Sequence, residues 1–564
     1  MRRVPVHCLG LLVVAGLAGA SACSSGSSST PDAGGHDAQA HDGGVHDASH
    51  ADARKDSGKP VDSGPSQDAG YGYTPPAAWN QSYTQPSDTA SATNRAACKY
   101  TRGMMPSQTL GPSTPLDKDI PIEHIIVLMQ ENRSFDSYFG HLAAYEAGKG
   151  ITNTIESAPA TATNPAYPMN QPMADGGADA GVQTFPYTHA PALCFFDTNH
   201  SWGGAHIEFD KGLNDGFYFM NNGAGDTGEV TTGIEAGYLT GARALWWYDQ
   251  RDLPFYYDLY STFAMADHYH SALLGPTYPN RMYLYSATSF GQTSNVFPDI
   301  SSYPFSPDGG AGNNPAIIFD ELIERNISFA LYTGNDPGAA VVLGLGTTLR
   351  YTANGMPFNP VKTDTQFFDD AKAGTLPAVA FLDADLGSTQ DSFVTPGTDE
   401  HPPSEIEEGQ AFVWSVVNAV MTGPEWNSTV LFITYDENGG IYDHVVPPAA
   451  CEPDSIAPIL TDALDQSQPG AFNQYGFRVP FLVVSPYAKK SYVSHNVYSH
   501  TSIIRFIEAK FSLPALTARD ANADAFGDLF DWQNPPFMTA PTFAEPTINQ
   551  AAVTQCTAEL TPTQ

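Results

Sequence analysis

Two short segments of the chain are almost continuously apolar and run directly into acidic and amide side chains. Ile125–Met129 leads to Glu131–Asn132, and Thr429–Tyr435 leads to Asp436–Glu437. Apolar runs of this length predict strands that are buried on both faces of a parallel sheet. Because open α/β sheets bind ligands outside the carboxyl ends of their strands, these four polar side chains are predicted to lie at a binding site.

Strand-like and helix-like segments alternate along the rest of the chain. Ser404 and Glu407 have the spacing of a capping box, which predicts a helix start, and Asp383 is predicted to close a strand. This alternation predicts an α/β fold in which a mostly parallel central sheet carries helices on both faces. The further predicted strands are Ser328–Tyr332, Ala378–Leu382 and Val479–Val484, and a further helix is predicted over Ser502–Phe511.

The chain has 564 residues, of which 41% are apolar, so it is long enough to bury one large core or two ordinary ones. Its formal net charge is -36. Phosphate backbones are bound by clustered Lys and Arg, so we exclude nucleic acid as a partner.

The amino terminus has the pattern of an export signal, with Arg2 and Arg3, an apolar stretch and small residues before Cys23. Residues 1–22 are predicted to be a signal peptide. Ordinary cleavage and a lipobox both remain open, and the cysteine favours a lipid anchor at Cys23, hence a cell-surface or outer-membrane lipoprotein rather than a secreted protein. Residues 23–75, rich in Ser, Asp, Gly and His, are predicted to be a disordered tether. The catalytic domain is predicted over 93–564, with no transmembrane helix in the mature chain.

The predicted domain contains four cysteines, and an even number in an exported chain predicts two disulfide bonds. Sequence leaves three pairings open, and we prefer a bridge between Cys98 and Cys556 because they flank the domain. The remaining cysteines are Cys194 and Cys451.

The polar strand ends offer only oxygen ligands at Glu131, Asn132, Asp436 and Glu437. Oxygen ligands favour a hard divalent cation such as Ca²⁺, Mg²⁺ or Mn²⁺ over Zn²⁺. The alternative is that Glu131 and Asn132 only cap a short helix, which the spacing of Phe135 and the aromatic residues after it predicts.

A tight loop, Gly275-Pro276-Thr277, precedes a helical run, so Thr277 is predicted near a helix N-terminus, where phosphate is stabilised. Arg281 is predicted to add a contact to phosphate. Histidines near oxygen ligands suit general acid catalysis, and the candidates are His200, His401 and the substrate-binding candidate His444.

Five motifs, which are given in chain order at the end of this paragraph, resemble the bacterial phospholipase C and acid phosphatase family of phosphoesterases. The resemblance covers roughly Ile122 to Trp532. The resemblance implies an alkaline-phosphatase-like α/β fold. It also implies one metal ion held by the four strand-end ligands and Thr277, with Thr277 as nucleophile and His200 and His401 near the scissile phosphate. The motifs are Glu131-Asn132-Arg133-Ser134-Phe135-Asp136, Gly275-Pro276-Thr277 with Pro279-Asn280-Arg281, Glu400-His401-Pro402-Pro403, Tyr435-Asp436-Glu437-Asn438-Gly439-Gly440 and Arg478-Val479-Pro480.

The residues and the resemblance together predict a metal-dependent phosphoesterase that acts on a phospholipid or a small phosphate ester. Thr277 attacks phosphorus, His401 or His200 protonates the departing alcohol, and water hydrolyses the phosphothreonine. Phospholipase C activity is the preferred prediction. The alternatives are an acid phosphatase that acts on monoesters and a non-catalytic surface lipoprotein with the same fold.

Overall fold

The computed structural model describes most of the predicted catalytic domain. It covers residues 71, 74–170, 183–222, 240–296, 317–334, 360–386, 388–390, 393–395 and 397–560. The predicted signal peptide, Cys23 and all but the last residues of the tether lie outside the described residues. The signal peptide, the lipid anchor and the tether therefore stay predictions.

A mixed sheet of eight strands crosses the described part of the chain. The strands are β1 His124–Gln130, β2 Ala264–Ala266, β3 Phe329–Thr333, β4 Val361–Thr363, β5 Val379–Asp383, β6 Thr429–Tyr435, β7 Phe481–Val484 and β8 Tyr492–Ser494. Their order in the sheet is β8-β2-β7-β6-β1-β5-β3-β4. Every neighbouring pair is parallel except the two pairs that contain β7. The predicted α/β class with a mostly parallel sheet is confirmed.

The two strands that carry the predicted ligands are direct neighbours. β1 pairs with β6 in parallel, and the register matches Gln130 with Tyr435. All residues of both strands are buried, as the apolar runs predict. Since both strands end at the same level of the sheet, Glu131 and Asp436 leave it side by side.

Helices flank this sheet and begin and end close to the predicted positions. The helix after the Gly275-Pro276 turn starts at Thr277 itself. The longer helices are α1 Asp88–Ala96, α2 Leu142–Gly148, α3 Trp202–Phe209, α4 Pro254–Tyr260, α5 Thr277–Ser286, α6 Ile318–Glu324, α7 Asp364–Ala373, α8 Ile406–Thr422, α9 His500–Phe511 and α10 Gln550–Leu560. Shorter ones are Pro106–Thr109, Phe135–Phe139, Phe217–Asn221, Ala463–Ser467 and Ala518–Ala521.

The predicted capping box before α8 is wrong. The N-cap is Glu405, whose carboxylate accepts hydrogen bonds from the backbone N–H groups of Glu407 and Glu408, both at 3.1 Å. Ser404 instead accepts a hydrogen bond from the backbone N–H of Gly397 at 3.0 Å. The longer carboxylate side chain reaches the free N–H groups of the first turn and takes the capping position.

Two disulfide bonds are present, as predicted, but the preferred Cys98–Cys556 pairing is wrong. The structure joins Cys98 to Cys451 and Cys194 to Cys556. The ends of the domain are anchored at different places, because α1 packs near Cys451 whereas the start of α10 is held at Glu407 by the backbone N–H of Asn549. The proposed end-to-end bridge is therefore replaced by two bridges to the interior of the sequence.

The described chain joins the core before the predicted start of the domain at residue 93. Trp79 is buried and belongs to the same apolar cluster as the residues of β1. Among the described residues, no helix combines the length and the apolar character that crossing a bilayer requires.

Candidate active site

The polar residues after β1 and β6 are held together by backbone hydrogen bonds to one carboxylate. Asp436 Oδ1 accepts from the backbone N–H of Asn132 at 3.2 Å and from that of Glu437 at 2.8 Å. Asn132 has a φ of 55°, in the left-handed region, which is uncommon outside glycine. Such backbone strain persists only where the surroundings enforce it and is often found at functional sites.

Two glycines after Glu437 let the chain turn closely against this site. Gly439 and Gly440 have φ values of 65° and 67°. A Cβ on Gly439 would lie 2.7 Å from both Cβ and the carbonyl oxygen of Asn132. The backbone N–H of Gly439 donates to Glu437 Oε2 at 2.6 Å, so the turn fixes that carboxylate. Only glycine combines this φ with this close approach.

Several oxygen atoms at this end of the sheet are buried without a hydrogen-bond partner in the described part of the chain. They are Asn132 Oδ1, Asp436 Oδ2 and Glu437 Oε1, and Asn132 Nδ2 is also unpartnered. Buried polar atoms are normally satisfied, and each unsatisfied one costs about 1–3 kcal/mol. Oxygen atoms left in this state fit a hard divalent cation, so the predicted ligand set is consistent with the structure.

The electrostatics of these carboxylates favour a cation. Burial raises the pKa of Asp436 to about 7, with a further contribution from the neighbouring charge of Glu131. Burial also raises the pKa of Glu437 well above its ordinary value, although His200 opposes the shift. Positive charge placed between these carboxylates would relieve both their repulsion and their desolvation.

Arg281 lies in this cluster, but its contacts differ from the predicted one. Its guanidinium donates to Glu131 Oε1 at 3.1 Å from Nε and pairs with the same atom at 2.8 Å from Nη2. Its Nη1 donates to Asp383 Oδ1 at 2.7 Å. The side chain is fully buried and orients Glu131, and the predicted phosphate contact stays a prediction.

Thr277 is the first residue of α5 and is almost fully buried. Residues four apart lie on one face of a helix, so Thr277 faces the same side as Arg281, whose guanidinium binds Glu131. Within the described residues, the Thr277 hydroxyl makes no hydrogen bond. Thr277 therefore lies at the N-terminus of the helix that contacts Glu131, as the loop predicts, and its role at the ligand cluster stays a prediction.

His200 and His401 lie together beside Glu437. Their ring centroids are 5.6 Å apart, and His200 Nε2 is 3.9 Å from Glu437 Oε1. His200 Nδ1 donates to the carbonyl of Thr198 at 2.8 Å, which leaves Nε2 toward the site. Burial lowers the pKa of His401, but the charges of Asp197 and Glu131 outweigh burial and raise it overall. A protonated His401 suits a general acid.

The sequence did not predict the roles of three residues of this region. Asp197 lies 3.8 Å from His200 Nδ1, and ligand atoms of Asp197, His200 and His401 lie within 4.8 Å of one another, close enough to hold a cation. His500 Nε2 donates to the Asp436 carbonyl at 2.6 Å, and burial lowers its pKa to about 4. Asp383 closes β5 as predicted, but the sequence did not reveal that it holds Arg281.

His444 belongs to a separate cluster. Its Nδ1 bonds Asp136 Oδ2 at 2.6 Å, and Arg478 pairs with Asp136 at 2.8 Å and with Asp443 at 2.9 Å. In the described part of the chain, none of these contacts is with a ligand candidate. The structure thus brings together Glu131, Asn132, Asp436, Glu437, His200 and His401. It links α5, which begins at Thr277, to Glu131 through Arg281, and it gives His444 different partners.

Comparisons with known proteins show the family to which the chain is related. The phosphoesterase family matches residues 122–514. Phospholipase C A of Mycobacterium tuberculosis is 30% identical over 75% of this chain and 80% of its own length. Non-specific phospholipase C6 of Arabidopsis thaliana is 29% identical over 75% of this chain and 74% of its own. A solved protein of the alkaline phosphatase superfamily from Vibrio parahaemolyticus covers 50% of this chain and 66% of its own at 9% identity, with a TM-score of 0.29, a likeness too weak to support an inference.

Proposed function

Since the chain belongs to the phosphoesterase family, we propose that it is a phospholipase C-type enzyme that hydrolyses phosphodiesters through a covalent phosphothreonine at Thr277. Hydrolysis of phosphate ester bonds is the activity of the family, and relatives at about 30% identity carry phospholipase C names. The choice of a phospholipid diester and the role of Thr277 are our proposals.

One observation carries the proposal: buried oxygen atoms without partners lie beside a helix that begins with a threonine. The oxygens are Asn132 Oδ1, Asp436 Oδ2 and Glu437 Oε1. Thr277 shares a helix face with Arg281, which contacts Glu131. A set of oxygen ligands and a threonine hydroxyl at the start of the helix that contacts this set suit phosphoryl transfer.

A divalent cation on these ligands would neutralise negative charge on the Thr277 oxygen and on the phosphate. Thr277 Oγ1, which has lost its proton to solvent and is present as the alkoxide, forms a bond to phosphorus while the bond to the diacylglycerol oxygen breaks. His401 donates a proton to that departing oxygen, and His200 is the second candidate for this role. In the second half-reaction, water attacks phosphorus, a histidine accepts its proton, and Thr277 leaves.

The test is a release assay on a phospholipid and on a small phosphomonoester, with and without a chelator. We expect diacylglycerol and a phosphomonoester from a phospholipid, and loss of activity after chelation that added divalent cation restores. Turnover of a small monoester with none of the phospholipid would instead identify an acid phosphatase. No turnover of any phosphate ester would identify the non-catalytic alternative.

Export to the cell surface through a lipid anchor at Cys23 is also a proposal. Two disulfide bonds support an oxidising compartment. Labelling with a radioactive fatty acid tests the anchor: label in the wild type that is lost in Cys23→Ala supports it, and an unlabelled wild type contradicts it.

A further inference from the structure

The residue before His401 is a carboxylate that lies fully inside the protein. Glu400 has no exposed surface and a φ of 72°. Its carboxylate accepts hydrogen bonds from the hydroxyl groups of Tyr256 and, at 2.6 Å, Tyr435. A Cβ on Gly409 of α8 would clash with the Glu400 side chain, so the glycine at this position of the helix leaves room for Glu400.

These contacts join Glu400 to both strand ends of the active site. Tyr435 is the last residue of β6 and directly precedes Asp436. Arg133, which directly follows Asn132, donates to the Glu400 carbonyl at 3.0 Å from Nε and 2.6 Å from Nη2. The backbone N–H of Glu131 donates to the carbonyl of Asp399 at 2.9 Å. The segment 399–401 is therefore attached to both ligand-bearing turns.

A buried carboxylate is a costly way to fill this space. Taking an ionised group out of water costs several kcal/mol, and an apolar side chain of similar volume often stabilises a protein more. The neighbouring charges that raise the pKa of His401 are chiefly those of Asp197 and Glu131. Glu400 offsets the charge of the buried Arg133 guanidinium, and its directional hydrogen bonds to two tyrosines fix its position as well.

We propose that Glu400 is a positioning residue that, through Tyr256 and Tyr435, holds His401 against the ligand-bearing ends of β1 and β6. This inference rests on the proposed function only for the role of His401 as general acid. The tyrosine hydroxyls fix the carboxylate, the Arg133 contact fixes its carbonyl, and the next side chain is thereby set opposite His200 at the observed ring distance of 5.6 Å.

The kinetic test compares Glu400→Gln with the wild type on phosphodiesters with good and poor leaving groups. A misplaced general acid affects the poor leaving group most, because a good one departs without protonation. We expect kcat/KM to fall about 10²-fold or more for an alkyl ester and less than about 10-fold for a p-nitrophenyl ester. Tyr435→Phe removes one hydroxyl without removing the carboxylate and is expected to give the same trend, more weakly.

The matched control is Glu146→Gln, since Glu146 is equally buried but bonds Asn153 instead. Equal losses on both esters in Glu400→Gln, or no loss at all, would overturn the positioning role. A crystal structure of Glu400→Gln tests it without activity: we expect the His200–His401 separation to change, and an unchanged separation refutes the inference. If the wild type shows no turnover, the proposed function is rejected. The comparison of crystal structures then tests the positioning role of Glu400 by itself.

Discussion

Replacement of Gly439 by alanine tests how tightly the turn after β6 sets the position of Asn132. Gly439 has a φ of 65°, and an added Cβ would lie 2.7 Å from Cβ and the carbonyl oxygen of Asn132. Ordinary contacts begin at 3.4 Å, so Asn132 must move by about 0.7 Å. The Asn132 backbone is already in the left-handed region and bonds Asp436, so the shift reaches the ligand cluster.

Two costs are expected for Gly439→Ala. The left-handed φ costs alanine about 1–2 kcal/mol. Overpacking against the Asn132 backbone adds about 1–3 kcal/mol. Because misplacement by about 1 Å can lower a rate about 10²-fold, we expect kcat/KM on an aryl phosphodiester to fall by about 10- to 100-fold, together with affinity for the divalent cation.

Gly150→Ala is the matched control, because Gly150 has a φ of 77° but nothing within 4 Å of an added Cβ. It measures the backbone cost alone. Urea unfolding and steady-state kinetics are the assays, and we expect Gly150→Ala to lose stability but keep full activity. Equal effects of the two substitutions on stability and activity would refute the idea that Gly439 positions Asn132.

Other predictions concern the ligands, the disulfide bonds and a buried histidine. Asp436→Asn is expected to lose bound divalent cation and turnover while its circular dichroism stays unchanged; full metal content and activity contradict the ligand role. Thiol titration of the denatured, unreduced domain should find none of its four cysteines free, and four free thiols would refute the bridges. Burial lowers the pKa of His270 to about 3. Since the unfolded state binds the proton first, this histidine lowers the free energy of unfolding of the wild type by about 1.4 kcal/mol per pH unit as pH falls from about 6.5 to 4. His270→Gln should lack this contribution to the pH dependence of stability. Equal pH slopes of the variant and the wild type contradict this.

The local signals in the sequence were sufficient for the parts of the fold that place the ligands. The apolar runs of β1 and β6 and the polar residues after them identified two adjacent strand ends. The sequence held no such signal for the direction of β7, because the four apolar residues Phe481–Val484 are compatible with a parallel or an antiparallel strand. Strand direction depends on how the chain returns to the sheet, which local composition does not encode.

The wrong disulfide pairing, and the contacts of Arg281 that the sequence did not reveal, both depend on long-range interactions. Arg281 pairs with Glu131, which follows β1, and with Asp383, which closes β5, and its predicted contact with phosphate stays a prediction. The two disulfide bonds span 353 and 362 residues, and nothing in the spacing of the cysteines distinguishes them from the other pairings. Contacts of this kind depend on the folded arrangement of distant segments.

The most direct test of the central claim is to trap the intermediate on Thr277. Wild-type enzyme is mixed with a phosphodiester, quenched in acid within one turnover and digested for mass spectrometry. We predict one added phosphoryl group, carrying the headgroup, on Thr277, and none in Thr277→Ala, whose turnover should fall by several orders of magnitude. A phosphoryl group only on a residue other than Thr277, or near-wild-type turnover in Thr277→Ala, would contradict the account.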